Sequence, residues 1–234
     1  MTTRTTKLMT QTTSRVLIAI LSCHALRGYE QSLRDTWIKE IPEGVDHRFF
    51  LGLPNLDYVF SDEVFLSVGD AWYDITHKMV AVCAWALAHD YDYLFKCDLD
   101  TLVRPVGLLQ SDFKAWDWVG GQNSFFASGG AGYTLSQRAM RAVIEHEIEP
   151  GPAEDVNTAH ALLAQGIALH HDPRFLFAPG AVLSSDTITY HLSSVKGWSA
   201  KATPADMYAS YNGTFKLPEQ STPAARAVRF RRTR

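Results

Sequence analysis

Two carboxylates stand one residue apart directly after an apolar run in the middle of the chain. The run 91–95 leads through Lys96 and Cys97 into Asp98-Leu99-Asp100. An extended segment that ends a buried strand places both carboxylates at the edge of a sheet, where a hard divalent cation could bind through their oxygen atoms. The same pattern is also typical of a solvated strand end or a helix cap. The metal interpretation predicts a metal-assisted reaction on a phosphorylated donor.

A second pair of carboxylates begins a predicted helix. Glu154 and Asp155 follow Pro150-Gly151-Pro152, and acidic residues in a first helical turn are favoured by the helix dipole. One role is therefore capping. The other is that of a general base, because a carboxylate at an exposed helix start can reach a hydroxyl to be deprotonated. His191 ends the extended run 187–190, and it is either a nitrogen ligand or a hydrogen-bonded structural residue.

Glycine-rich and cationic residues complete the candidate set. The run Gly129-Gly130-Ala131-Gly132 allows the backbone to approach a ligand or an adjacent strand closely, or it forms a structural turn. It matches neither a phosphate-binding loop nor the dinucleotide-binding fingerprint. The cations that could neutralise phosphate charge are Arg34, Lys78 and Lys96. The carboxylates that could pair with them instead are Asp35, Asp70 and Asp98.

The spacing of apolar residues predicts strands that alternate with helices. Predicted strands cover 16–22, 47–51, 64–68, 93–97 and 116–120, with extended segments at 167–170 and 187–191. Predicted helices cover 30–40, 71–89, a segment capped by Ser136 that runs to 146, and 153–165. This alternation predicts an α/β fold with a mostly parallel sheet. Ligands gather beyond the carboxyl ends of the strands in such sheets, so Asp98 and Asp100 lie where a site is expected.

The composition is that of an ordinary globular protein. The chain has 234 residues, 46% of them hydrophobic and 20% charged, which is enough for one large domain, placed here at 15–215. The formal net charge of −3 argues against general nucleic-acid binding. The three scattered cysteines, Cys23, Cys83 and Cys97, indicate reduced core residues rather than a disulfide framework or a zinc site.

The two ends differ from this domain in composition. Residues 1–14 are Thr-rich and are predicted to be disordered. Residues 216–234 form a basic tail, predicted to be solvated, with weak contact to anionic lipid or to phosphate-rich partners as the alternative. The apolar run 16–21 is far too short to span a bilayer, and no charged signal-peptide start precedes it. These features predict a cytoplasmic location and leave the oligomeric state open.

Six short segments occur in a fixed order: Arg34-Asp35-Thr36-Trp37, 70–78, 96–103, 127–136, Glu154-Asp155-Val156 and Tyr190-His191. Together they resemble the motifs of the β-1,3-galactosyltransferase and N-acetylglucosaminyltransferase family to which Fringe belongs. The corresponding family motifs are Arg-x-Thr-Trp, Asp-x-Tyr-x-Asn-Leu-Thr-x-Lys, Lys-x-Asp-Asp-Asp-x-Phe-Val, Ala-Ser-Gly-Gly-x-Gly-Tyr-x-Leu-Ser, Glu-Asp-Val and Tyr-His. The resemblance extends over about residues 16–196.

This resemblance implies a GT-A fold, with a Rossmann-like, mostly parallel central sheet flanked by helices. It also implies an inverting glycosyltransferase that uses a UDP-sugar and Mn2+, with Mg2+ as the alternative metal, to form a β-1,3 linkage on a glycan or glycoconjugate acceptor. By this resemblance Asp100 and His191 ligate the cation, and Asp98 supports the metal or the ribose. Asp155 is the implied base. The implied substrate-binding residues are Arg34, Lys78, Asp98, Gly129, Gly130 and Glu154.

Two of the departures from the family pattern replace a polar side chain of a motif. Leu99 replaces the middle carboxylate of the metal motif, and Asp74 replaces an amide. The alternatives are a phosphatase of the haloacid-dehalogenase type and a sugar-nucleotide or glycan-binding protein without turnover. The phosphatase motif needs its threonine two residues past the second aspartate, whereas Thr101 directly follows Asp100. A pure binding protein has no need of a base at Asp155.

Overall fold

The computed structural model describes residues 14–53, 59–147, 151–195 and 201–215. The strands are β1 Val16–Leu21, β2 Asp46–Leu51, β3 Glu63–Phe65, β4 Tyr93–Asp98, β5 Thr101–Val103, β6 Trp118–Gly120, β7 Gln122–Asn123, β8 Phe126–Ala127, β9 Tyr133–Ser136, β10 His170–His171, β11 Phe175–Leu176 and β12 Thr189–His191. The α-helices are α1 Glu30–Arg34, α2 Ile75–Ala88, α3 Pro105–Gln110, α4 Gln137–Glu145, α5 Glu154–Ala164, α6 Leu192–Val195 and α7 Pro204–Ser210. Short 3-10 helices lie at His24–Tyr29, Trp37–Glu40, Trp72–Asp74 and Phe113–Ala115, and a short π-helix lies at Tyr211–Phe215.

The central sheet has seven strands in the order β10-β6-β9-β4-β1-β2-β3. All pair in parallel except β9, which runs antiparallel to both β4 and β6. This arrangement confirms the predicted α/β fold with a mostly parallel sheet. Its strand β4 ends at Asp98, so the paired carboxylates lie at the carboxyl edge of the sheet.

Helices cover both faces of the sheet, which explains why β1 is apolar along its whole length. Its alternate residues Leu17, Ala19 and Leu21 pack into one hydrophobic cluster that includes side chains of α2, α4 and α5. The intervening residues Val16, Ile18 and Ile20 pack into a second cluster with side chains of α1, α3 and α7. A strand with helices on both sides has no solvent face, and its sequence therefore shows no alternation.

A second, three-stranded sheet joins the late part of the chain to the metal motif. Its order is β11-β12-β5, and β12 pairs antiparallel with β5 so that His191 lies opposite Thr101. Because β5 begins directly after Asp100, this register places His191 beside the second carboxylate of the motif.

Several predicted boundaries differ from the structure. The helix predicted over 30–40 is wrong in its continuity: α1 stops at Arg34, and Thr36 has φ −110° and ψ −109° before a separate turn begins at Trp37. The Thr36 hydroxyl donates to the Ser32 carbonyl, a local bond that competes with helix propagation. The predicted cap is confirmed, because Ser136 Oγ accepts from the Ala139 amide at 3.2 Å.

Other features of the sequence are located as follows. Cys83 and Cys97 are buried, Cys23 is partly buried, and all three are free thiols. Of the helices in the described ranges, none is long and apolar enough to cross a membrane. The predicted disordered segment, except for Ser14 at its end, and the basic tail at 216–234 lie outside the described residues.

Candidate functional site

The turn between β4 and β5 holds the paired carboxylates. Successive strand residues face opposite sides of the sheet, and Leu99, 6% exposed, packs into the same core cluster as Phe95 and Cys97. The middle position of the motif therefore faces apolar side chains, which explains a leucine there. Asp98 and Asp100 keep 28% and 22% of their side chains exposed, so both carboxylates reach the solvent at the sheet edge.

Asp100 contacts His191, which lies 91 residues later in the chain. Nε2 of His191 is 3.1 Å from Oδ2 of Asp100, and the hydroxyl of Ser193 donates to the same oxygen. The hydroxyl of Ser194 contacts Nδ1 of His191. Against the opposing effect of burial, the His191 hydrogen bond lowers the pKa of Asp100 below its ordinary value. Burial lowers the pKa of His191, but the hydrogen bond and the charge of Asp100 outweigh it, so this pKa lies above its ordinary value.

A fully buried lysine joins the metal motif to the helix that carries the candidate base. Lys96 has no exposed side-chain surface, and its Nζ lies 2.9 Å from Oδ1 of Asp98 and 2.8 Å from Oε2 of Glu154. Nζ also donates to the Gly129 carbonyl at 3.1 Å. Burial opposes its charge, but the two carboxylates raise the pKa of Lys96 above its ordinary value. Lys96 is therefore a buried cation shared between two acidic residues.

The two acidic residues at the start of α5 have different surroundings. Glu154 is 4% exposed and receives hydrogen bonds from Lys96 and from the hydroxyl of Tyr133. Burial raises the pKa of Glu154, with Lys96 acting in the opposite direction. Asp155 is only partly buried, and its two oxygens accept from the backbone amides of Gly129 at 3.0 Å and Val156 at 2.9 Å. Asp155 can thus meet a substrate, whereas Glu154 lies behind it.

The glycines predicted to allow close approach do so, and their neighbours here are side chains of the site itself. A Cβ at Gly130 would lie 2.1 Å from Cε1 of His191, and a Cβ at Gly129 would lie 2.9 Å from Oε2 of Glu154. Thr101 fixes this loop from the other side, because its hydroxyl donates to the Gly130 carbonyl at 2.7 Å and accepts from the Asp98 amide at 3.0 Å. No larger residue fits at either glycine without moving a site residue.

The other predicted phosphate-binding cations are engaged within the protein. Lys78 is 3% exposed and donates to the Ser22 carbonyl and to Asp70, each at 2.7 Å. Its predicted pairing with Asp70 is confirmed, as is that of Lys96 with Asp98.

Arg34 lies in a separate ionic network. It pairs with Glu30 at 2.9 Å and with Asp62 at 2.8 Å and lies over the ring of Phe49. The predicted alternative partner Asp35 is therefore wrong; its carboxylate instead accepts from Gln31 and Tyr208. The structure does not bring Arg34 and Lys78 into contact with Asp98 or Asp100, and their predicted role toward phosphate stays a prediction.

The residues of the metal motif provide a donor set that suits a hard divalent cation. They offer two partly exposed carboxylates and one imidazole, a combination favourable for Mn2+. Oδ1 of Asp98 is buried and accepts no hydrogen bond of good geometry, although Lys96 Nζ is near it. Among the described residues, however, no three acidic, histidine or cysteine side chains form a ready-made metal cluster. Asp98, Asp100 and His191 are therefore candidate ligands that are not pre-assembled around one point.

Several supporting contacts could not be inferred from the sequence. Tyr133 lies in the family-like segment 127–136, but its contact with Glu154, like the contacts of Ser193, Ser194 and Thr101, emerges only from the tertiary structure. Lys96 and Asp98 are the exception. Residues two apart on a strand share a face, so their ion pair could be inferred once the strand was recognised.

Comparison with known proteins gives a fold and no family. Neither a protein-family model nor a curated protein sequence matches the chain. The chain is similar in structure to the apo-form glycosyltransferase GlyE of Streptococcus pneumoniae TIGR4, with a TM-score of 0.50 and 12% identity, over 76% of this chain and 54% of that one. It thus spans about half the length of GlyE. A crystal structure of the galactosyltransferase LgtC with donor and acceptor sugar analogues gives a TM-score of 0.49 and 12% identity, over 87% of this chain and 98% of that one.

The similarity to GlyE and the seven-stranded sheet define the fold as that of GT-A glycosyltransferases. At 12% identity this similarity establishes the architecture alone, and the resemblance to the Fringe family rests on the sequence motifs.

Proposed function

We propose that this chain is a glycosyltransferase that transfers a hexose or N-acetylhexosamine from a UDP-sugar to a hydroxyl of a glycan or glycoconjugate. The observation that carries the proposal is the 3.1 Å contact between Asp100 and His191, formed at the carboxyl edge of a GT-A sheet by the β5–β12 register. In open α/β sheets this edge is where ligands bind. The motif resemblance adds an inverting mechanism and a β-1,3 linkage to the proposal.

The residues divide between the two ends of the reaction. Asp98, Asp100 and His191 would hold a divalent cation, Mn2+ or Mg2+, which when bound supplies Lewis-acid stabilisation of the charge that develops on UDP. Asp155 would remove the proton of the acceptor hydroxyl as that oxygen attacks the anomeric carbon from the opposite face. A single displacement inverts the anomeric configuration without a covalent intermediate.

The hydrogen bonds that Asp155 accepts are consistent with this role. Backbone amides of Gly129 and Val156 hold the carboxylate in one orientation, and a general base requires such positioning within hydrogen-bond reach of the proton it takes. Lys96 and Glu154 act behind it as positioning residues: they connect the start of α5 to Asp98 and to the Gly129 carbonyl. The base is thus connected to Asp98 through Lys96 and the backbone of Gly129.

The test is a screen of UDP-galactose, UDP-glucose and their N-acetylamino analogues for release of UDP with Mn2+ and with chelator. Asp155→Asn should lower transfer by about 100-fold or more while calorimetry shows nearly unchanged binding of UDP with Mn2+. The matched control is Asp112→Asn, since Asp112 is exposed and follows α3, outside the turn that holds the motif. Loss of both turnover and binding in Asp155→Asn would instead make this residue structural or part of the donor site.

The metal assignment has its own test in the same assay. Asp100→Ala should weaken metal-dependent UDP binding, and His191→Ala should raise the Mn2+ concentration needed for half-maximal activity, because each loses one ligand of the cation. Unchanged calorimetric affinity and an unchanged metal titration would remove these residues from the metal site. Binding of UDP-sugars by the wild-type protein without any turnover would favour the sugar-nucleotide-binding alternative.

A further inference from the structure

A second concave surface lies at the edge of the sheet opposite the candidate active site. Residues 115–117 precede β6 and residues 166–169 precede β10, and both strands run parallel to β4 within the sheet. These segments therefore lie at the amino edge, whereas Asp98 and Asp100 lie at the carboxyl edge. The segments and Arg138 of α4 line a cavity of about 250 Å3.

An aromatic platform borders this cavity. Trp116 is 45% exposed, an unusual exposure for so large an apolar side chain. Its ring is stacked on that of His170, with centroids 3.9 Å apart and planes 10° from parallel, so the indole is held flat and in one orientation. No hydrogen bond from the indole N–H of Trp116 is found within the described ranges, and this donor is available to a ligand.

Polar groups of fixed geometry stand beside the platform. Arg138 Nη1 donates to Oδ2 of Asp117 at 2.7 Å, and Nη2 donates to the Gln165 carbonyl at 3.3 Å. The Ser136 hydroxyl holds the other oxygen of Asp117. Arg138 and Asp117 nevertheless keep 61% and 30% of their side chains exposed. The pair therefore offers both donors and acceptors to a ligand without any need to reorganise.

The surface continues past Arg138. A second cavity of about 370 Å3 shares Arg138 and Ile167 with the first and is also lined by Arg141 and Glu145. Its charges are of both signs, as are those of the first cavity, which disfavours a nucleic acid or a simple anion. The two cavities therefore form one continuous surface around Arg138 and Ile167.

A pyranose ring has one apolar face of C–H groups and a rim of hydroxyls that both donate and accept. A flat aromatic ring accommodates the C–H face, and a few convergent polar groups fix the hydroxyls. We propose that Trp116, Asp117, Arg138 and His170 form a binding site for a pyranose unit of an oligosaccharide, with the adjoining cavity taking the next unit. The site is separate from the catalytic edge and would tether a long glycan. Its identification as a tether rests on the proposed function, because an enzyme that modifies glycans gains effective substrate concentration from a second contact on the same chain.

The site is tested by saturation-transfer NMR on the full chain with lacto-N-tetraose, cellotetraose and maltotetraose at millimolar concentration. At least one of these sugars should give a saturation-transfer signal with the wild-type protein. Trp116→Ala should reduce that signal at least about fivefold, Trp116→Phe should retain most of it, and Arg138→Gln should weaken it. The matched control is Trp72→Ala, since Trp72 is 69% exposed and precedes α2, away from this cavity.

Thermal unfolding and calorimetric UDP binding accompany each variant. The proposal would be overturned if none of the three sugars gave a saturation-transfer signal. It would also be overturned if Trp116→Ala, with native UDP binding, gave the same signal as wild type. A concentration-dependent dimer that Trp116→Ala abolishes would also overturn it and assign the surface to a second copy of this chain. Sugar binding that depends on Trp116 in a protein that neither binds nor turns over UDP-sugars would uphold the site and refute the proposed function instead.

Discussion

The buried lysine beneath the metal motif gives the sharpest stability prediction. Lys96→Met keeps the approximate length and volume of the side chain but removes its charge from between Asp98 and Glu154, which lie 2.9 Å and 2.8 Å away. Glu154 is then a 4% exposed carboxylate without a cation. Removing one partner of a buried ion pair costs about 3–5 kcal/mol. We expect a loss of that size, a large fraction of the total stability of a typical domain.

The cause of this loss can be separated from a simple packing defect. In the double variant Lys96→Met with Glu154→Gln, the buried carboxylate is neutral and needs no cation, so the double variant should be more stable than the sum of the single effects by about 1–3 kcal/mol. Urea unfolding followed by circular dichroism measures the stability of wild type, of Lys96→Met, of Glu154→Gln and of the double variant. Lys114→Met, at an exposed lysine, should stay within about 0.5 kcal/mol of wild type. A loss below about 1 kcal/mol in Lys96→Met, or strict additivity, would refute the reasoning.

Two further predictions concern the glycine loop and a buried acid in the ionic network of α1. Gly130→Ala places a Cβ 2.1 Å from the ring of His191, so the ring must move. We expect a cost of about 1–3 kcal/mol in urea unfolding and a higher Mn2+ requirement, whereas Gly28→Ala, with open space around the added methyl, should be neutral. Burial and neighbouring Glu63 raise the pKa of Glu30 from 4.5 to about 7. The folded state therefore binds more protons between these values, and stability falls as the pH rises through them. Relative to Glu30→Gln, wild type should lose stability as the pH rises across this interval, and a constant difference between the two proteins at every pH would contradict the assignment.

The part of the site that follows from local sequence was predictable. An apolar run before Asp98 indicates a strand end, and a serine before a helical pattern indicates the cap at Ser136; both depend on residues within a few positions of each other. The sequence indicated that Gly129 and Gly130 allow another group to approach closely, but it did not indicate which group. The sequence left the neighbours of these glycines, His191 and Glu154, undetermined.

The part that depends on distant contacts was not predictable. β5 and β12 have three residues each, too few for a periodic pattern, and their pairing is antiparallel in a chain whose other signals indicate parallel strands. β9 was missed for a similar reason, since the glycines before it suggested a loop. Lysine and glutamate are seldom fully buried, so their residue types predict exposed positions for Lys96 and Glu154. Only the ion pair between them explains why both are buried.

The contacts divide the two carboxylates of the motif between different parts of the fold. Asp98 shares a strand face with Lys96 and through it is bonded to Glu154 at the start of α5. Asp100 is bonded instead to His191 and Ser193 at the end of the small sheet. Burial and the charge of Asp100 raise the pKa of Asp98, while the hydrogen bond from His191 lowers that of Asp100. Leu99 lies between them and packs into the core, which anchors the turn that carries both carboxylates. The two carboxylates thus share one turn but differ in their partners and in the direction of their pKa shifts.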